Sequence, residues 1–180
     1  MANNMKYFIG NWKMFGVPKS INIIDKINKF VKSDKKFNKN LLVILSLFPE
    51  TNSEMLNKIS YLNNYLVDDL GLTITIRPHP YDKKEDILKK IKWKSLPHKW
   101  IWSETNLESD LKNSYCVITM YSSSAIDAIL SNNILITPKS ELNIGENFLD
   151  TLEDQFPVLK TTSDKNLKRK ISEIFSTKKD

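Results

Sequence analysis

Apolar and polar positions follow two regimes along the chain, divided near residue 40. Before it, residues 6–10 (KYFIG) read as a short strand closed by Gly10. Pro18 and Ser20 then open a helix with Ile21, Ile24, Ile27 and Val31 at helical spacing. The Lys- and Asn-rich stretch 33–40 breaks that pattern and marks a boundary. After it, Leu41–Leu47 is an apolar run interrupted only by Ser46, as expected of a strand buried on both faces of a parallel sheet.

The remaining pattern alternates regularly. Thr51 to Glu54 reads as a capping box opening a helix with Met55, Ile59, Leu62 and Leu66 on one side. Gly71 precedes a strand at Leu72–Ile76, followed by a helix through Ile87, Leu88 and Ile91. A short segment, Lys99–Trp102, leads to a second capping box from Thr105 to Glu108 with Leu107 and Leu111 behind it. Strands are expected at Tyr115–Met120 and Ile134–Ile136, the latter ended by Pro138, with a helix opened by Ser122, Ser123 and Ser124 between them. Glu146–Leu152 reads as helical and Pro157–Leu159 as a last short strand. Ser163 or Asp164 caps a final helix through Leu167, Ile171 and Ile174.

Strand, helix, strand, helix with short connections predicts an α/β fold. Its expected form is an open parallel sheet in three layers, with helices on both faces and a strand-helix appendage at the N-terminus. Right-handed crossovers put every strand's C-terminal end on one edge, where ligands bind. The 180 residues are too few for a complete (β/α)8 barrel, which needs about 250. One cysteine, Cys116, excludes an internal disulfide and a Cys-based zinc site, and the burial expected of its strand makes it inert.

The net charge of +6 is unevenly placed. Residues 1–40 hold nine lysines against Asp25 and Asp34, while the remainder holds 18 basic and 19 acidic side chains. The excess therefore belongs to a lysine-rich helix face (Lys26, Lys29, Lys32) running into Lys35, Lys36 and Lys39. It reads as a solvated face and linker, or as a surface that adheres to membranes, and not as an aromatic-interleaved nucleic-acid stripe. No apolar run is long enough to span a bilayer, and a signal peptide's apolar core is missing from the start of the sequence. The expectation is a cytoplasmic chain, peripheral at the membrane if the lysine face adheres.

Two loops at the ligand-binding edge carry unusual residues. In Arg77-Pro78-His79-Pro80, two prolines fix the backbone on either side of the histidine. A rigidly held His79 can bond a phosphate oxygen, or bear positive charge beside a leaving phosphate. Arg77, one of only two arginines among 27 basic residues, offers a bidentate contact to the same anion. The ordinary alternative is a proline-rich turn whose histidine caps an element end. In the second loop, Ser122, Ser123 and Ser124 exceed what a helix cap needs, and Asp127 one turn on can accept from a sugar hydroxyl. Trp93, Trp100 and Trp102 read as packing beneath the Lys99–Trp102 segment, and His98 as a surface residue.

Together the two motifs resemble the C-terminal, donor-binding half of GT-B-type glycosyltransferases over residues 41–175. The likeness is to capsule and surface-carbohydrate enzymes, sialyl- and polysialyltransferases, and glycerophosphotransferases. The resemblance implies that His79 and Pro80, and Ser122, Ser123 and Ser124, contact the nucleotide phosphate of the donor, with His79 as the catalytic group. It also implies that Glu141, in the loop after the next strand, holds donor hydroxyls. The donor would be a CMP-, CDP- or UDP-linked substrate, with no cofactor and no metal. In such enzymes the acceptor and the base come from another domain, which 40 residues cannot form. The expectation is weak donor binding and no transfer by this chain alone.

Residues 6–16 (KYFIGNWKMFG) resemble the opening strand and loop of triosephosphate isomerase, which implies substrate contacts for Asn11 and Lys13. That reaction also needs a carboxylate base, a neutral histidine and a Gly-rich phosphate loop. The four glycines here stand apart and no matching histidine motif occurs, so isomerase activity is not expected. The organisation read from the sequence is an isomerase-like extension at 1–40 and a GT-B-like domain at 41–180. The rival readings are a non-catalytic nucleotide-binding module and a triosephosphate isomerase fragment.

Overall fold

The computed structural model describes residues 38–142 and 158–176. The strand at 6–10, the helix after Pro18, Asn11, Lys13 and the helix at Glu146–Leu152 lie outside the described residues.

Six parallel strands form one sheet: β1 (Asn40–Ile44), β2 (Thr73–Arg77), β3 (Trp100–Trp102), β4 (Cys116–Thr119), β5 (Ile134–Pro138) and β6 (Val158–Thr161). Their order is β3-β2-β1-β4-β5-β6. The helices are α1 (Pro49–Tyr61), α2 (Lys84–Lys90), α3 (Leu107–Lys112), α4 (Ser124–Leu130) and α5 (Asp164–Ser176). A π-helical turn at Tyr65–Asp69 follows α1. The chain is thus an open, Rossmann-like α/β sheet protein, as the alternating pattern predicts.

Apolar runs became strands because both faces of the sheet are covered. Leu41, Leu42 and Val43 of β1 are fully buried, as are Ile74 and Ile76 of β2 and Val117 and Ile118 of β4. Leu41 is level with Ile74 and Cys116, and Val43 with Ile76 and Ile118, so these residues share one face. They form one core with Met55 and Ile59 of α1 and Leu167 and Ile171 of α5. Leu42 and Val117 point the other way, and α4 contacts β4 and β5. Burying side chains of this size contributes about 1.5–3 kcal/mol each, the main force holding the layers together.

Both expected capping boxes give way to other starts. Helix α1 begins three residues earlier, at Pro49, whose fixed φ and missing N–H suit a first helical position. Thr51 is then inside the helix, its hydroxyl donating to the Phe48 carbonyl at 2.8 Å. Helix α3 is capped by Asn106, whose side chain accepts from the Ser109 N–H at 2.8 Å, while Thr105 donates to Asp110. Strand β5 runs through Pro138 instead of ending before it, because its last residues pair with β6 up to Thr161. At the final helix, the Ser163 hydroxyl accepts from the Asn166 N–H at 3.2 Å.

Candidate functional site

The strand order fixes where the sheet opens. From β1 the chain steps outward to β2 and β3, and from β4 it steps the opposite way to β5 and β6. The loops leaving β1 and β4 therefore diverge, and the crevice between them is where ligands of open α/β sheets bind. The sequence pattern selected the loops after β2 and β4 for their composition. It missed the loop after β1, which the strand order makes central.

That loop is self-contained in its polar groups. Asn52 of α1 accepts from the Ser46 N–H at 2.8 Å and donates back to the Ser46 carbonyl at 2.8 Å. The Ser46 hydroxyl reaches Asn52 Oδ1 at 3.2 Å and accepts from the Phe48 N–H at 3.2 Å. These bonds hold the turn and leave Phe48 at the mouth of the crevice, where its ring meets Tyr121 of the β4 loop edge-to-face at 6.1 Å. Tyr121 itself has φ +55°, in the left-handed region.

The serines follow directly. Ser122 is buried, and its hydroxyl accepts from the Ser124 N–H at 3.3 Å, so it serves the turn into α4. Ser123 is exposed and makes no side-chain cap bond, and Ser124 is half-buried. Asp127 is exposed in the first turn of α4.

After β2 the loop forms a hydrogen-bonded turn. The His79 carbonyl accepts from the Asp82 N–H at 2.9 Å, a β-turn with Pro80 at its second position. His79 Nδ1 accepts from the Tyr81 N–H at 3.4 Å, and the two rings lie 5.3 Å apart. With Nδ1 accepting, the neutral ring carries its proton on Nε2.

Arg77 meets partners within the protein through one guanidinium nitrogen. Its Nη1 donates to Asp110 Oδ2 at 2.7 Å and to the Thr105 carbonyl at 2.7 Å. Asp110, only 6% exposed, also accepts from Ser103 and Thr105 at 2.6 Å each. The guanidinium charge is balanced inside this network, which ties the end of β2 to the loop after β3. Arg77 therefore anchors the end of β2, two residues before His79.

Glu141 is likewise held. It is 83% exposed, and its carboxylate accepts from Lys58 Nζ of α1 at 2.9 Å. Glu54 of α1 takes the Glu141 N–H at 2.9 Å on one oxygen and the Ser140 hydroxyl at 2.6 Å on the other. The same Lys58 lies 3.5 Å from Glu54 and 3.7 Å from Asp164. Burial works against its charge, but the Glu141 bond and the Asp164, Glu141 and Glu54 carboxylates outweigh it, so its pKa is raised. An open groove of about 490 Å³ beside this cluster is lined by Glu50, Glu54, Glu141 and Lys90 among others. Its lining holds three carboxylates and one lysine, and two of the carboxylates, Glu54 and Glu141, also face Lys58.

The structure thus brings the His79 turn and the serine loop to one edge but not side by side. They follow β2 and β4, with β1 between them. Two strand spacings amount to roughly 9.5 Å. Of the residues set aside in the sequence, Trp100 is buried, with its indole N–H on Asn63 at 2.7 Å and its ring 5.5 Å from Trp93. His98 is exposed. Among the described residues there is no cluster of metal-ligating side chains and no helix long and apolar enough to cross a membrane.

No family model matches the sequence, and no curated protein matches it. Among solved structures the chain is similar to KpsC, a beta Kdo 2,4 transferase of Thermosulfurimonas dismutans. That likeness has 11% identity over 69% of this chain and 46% of the other, with a TM-score of 0.42. It is also similar to phenylacrylic acid decarboxylase from Aquifex aeolicus, at 12% identity over 80% of this chain and 99% of the other, with a TM-score of 0.40. The chain spans less than half the length of the transferase.

Proposed function

We propose that residues 41–175 form the donor-binding half of a glycosyltransferase of surface-carbohydrate synthesis, taking a sugar activated by CMP, CDP or UDP. Residues 1–40, the isomerase-like extension, carry no part of this reading. The observation that supports it is the reversal of strand order between β1 and β4, with the His79 turn and the serine loop on the edge that the reversal opens. A single phosphate bonds partners about 3 Å away and meets both loops only through extended side chains. A nucleoside diphosphate or a nucleotide-linked sugar is long enough to address each in turn.

The chemistry is displacement at the anomeric carbon. An acceptor hydroxyl forms the new C–O bond and gives up its proton to a base supplied by the separate acceptor domain, while the bond to the nucleotide phosphate breaks and the nucleotide departs with that electron pair. In this reading His79 donates from Nε2 to the departing phosphate, and Ser123 and Ser124 add hydroxyl donors, lowering the barrier as charge develops there. Glu141 and Asp127 receive donor hydroxyls, and the acidic surroundings of Glu141 suit that task.

Calorimetric titration of the chain with CMP, CDP and UDP tests the reading. Saturable binding of one of them, weakened about tenfold or more in His79→Ala and in Ser123→Ala, is the expected result. Absence of binding by all three overturns it.

A further inference from the structure

We infer that Phe48 and Tyr121 form a stacking site for the nucleobase of the activated donor, an inference that rests on the donor-binding reading above. Phe48 follows β1 and Tyr121 follows β4, so each strand bordering the crevice sends one aromatic ring to its mouth. The rings are 6.1 Å apart at 77°, an edge-to-face pair. An edge-to-face pair covers at most one face of one ring, and Phe48 is the more exposed of the two.

Two features of the pair are unfavourable in the protein by itself. Phe48 is 43% exposed beside Leu47 at 57%, which leaves adjacent apolar side chains in water at the crevice. Tyr121 holds a left-handed backbone, at φ +55°, that a bulky side chain rarely adopts. Both features lie at the β1–β4 seam, one on each side. A flat group with apolar faces and polar edges, as a nucleobase is, covers the exposed ring and gives that conformation a use. The Ser123 and Ser124 hydroxyls, close along the chain from Tyr121, then stand toward the ribose and phosphates.

The test uses the full chain and its Phe48→Ala, Phe48→Leu and Phe48→Tyr variants, with thermal melting to verify folding. Each is titrated with the nucleotide bound best and, by chemical-shift perturbation, with ribose 5-phosphate, which lacks the base. The expected result is a loss of about tenfold or more in nucleotide affinity for Phe48→Ala and a smaller loss for Phe48→Leu. Phe48→Tyr stays within about twofold of the parent, and all variants respond to ribose 5-phosphate as the parent does. Nucleotide affinity indifferent to Phe48→Ala, or an equal loss with ribose 5-phosphate, overturns the stacking site alone. A parent chain that binds no nucleotide overturns the donor-binding reading and this inference with it.

Discussion

The Lys58 ammonium stands 2.9 Å from the Glu141 carboxylate, joining helix α1 to the loop after β5 across 83 positions of sequence. Glu54 holds the same loop by its backbone, and Asp164 brings the start of α5 to the same cation. One mostly buried lysine thus fixes three elements around the acidic groove. Because its folded pKa lies above the ordinary 10.5, this contribution is complete below about pH 10.5. It is lost as pH rises through the folded value. Unfolding midpoints in urea should fall at strongly alkaline pH, and Lys58→Met should flatten that fall. At neutral pH the same variant leaves the carboxylates without their cation and should lose about 1–2 kcal/mol, between surface and buried ion pairs.

Asp110 is the acceptor on which Arg77, Ser103 and Thr105 all depend. Asp110→Ala strands a guanidinium and two hydroxyls in a half-buried setting and should destabilise the chain by about 2–4 kcal/mol. Asp110→Asn keeps an acceptor and should lose less. Equilibrium denaturation of the two variants distinguishes this network from a dispensable surface pair, which would show no difference.

At Tyr121 the backbone conformation reverses the usual order of small residues. Alanine normally stabilises relative to glycine, but at φ +55° its Cβ crowds the backbone. Tyr121→Gly should therefore be more stable than Tyr121→Ala by about 1 kcal/mol, both having lost the ring. Melting temperatures of the pair decide it, and an Ala variant as stable as the Gly variant would show that the loop relaxes.

Cys116 lies in β4 with no exposed surface, and burial pushes its thiol far above the ordinary range, a backbone bond to Val117 opposing this only in part. Thiol reagents should leave it unmodified in native buffer and label it fully in denaturant. Native labelling at a rate independent of global stability would show that the sheet opens locally at β4.

What the sequence made legible is what is coded locally. Leu41–Leu47 and Tyr115–Met120 read as strands because burial on both faces demands apolar runs, and strands form within them at Asn40–Ile44 and Cys116–Thr119. The turn at His79 was readable from two prolines. Thr51 and Thr105 misled because a hydroxyl near a helix start has more than one partner available. Thr51 bonds the carbonyl three residues back, and Thr105 bonds a carboxylate five residues on. Arg77 stood out by rarity, but its partner Asp110 lies 33 positions away, with no periodicity linking the two. Phe48 gave no signal at all. A single aromatic after a strand acquires meaning only when the strand order puts β1 at the reversal.

That reversal also sets when the crevice comes into being. Across the seam, the Thr119 hydroxyl reaches the Ile44 carbonyl at 2.8 Å, bridging 75 positions of chain. Closing so long a loop is entropically unfavourable, and contacts of this separation form slowly. Each half of the sheet can assemble from nearer neighbours, but the ligand edge exists only once the two halves have zipped together. Any molecule seated there would act as a clasp, coupling its own residence to the cohesion of the entire sheet.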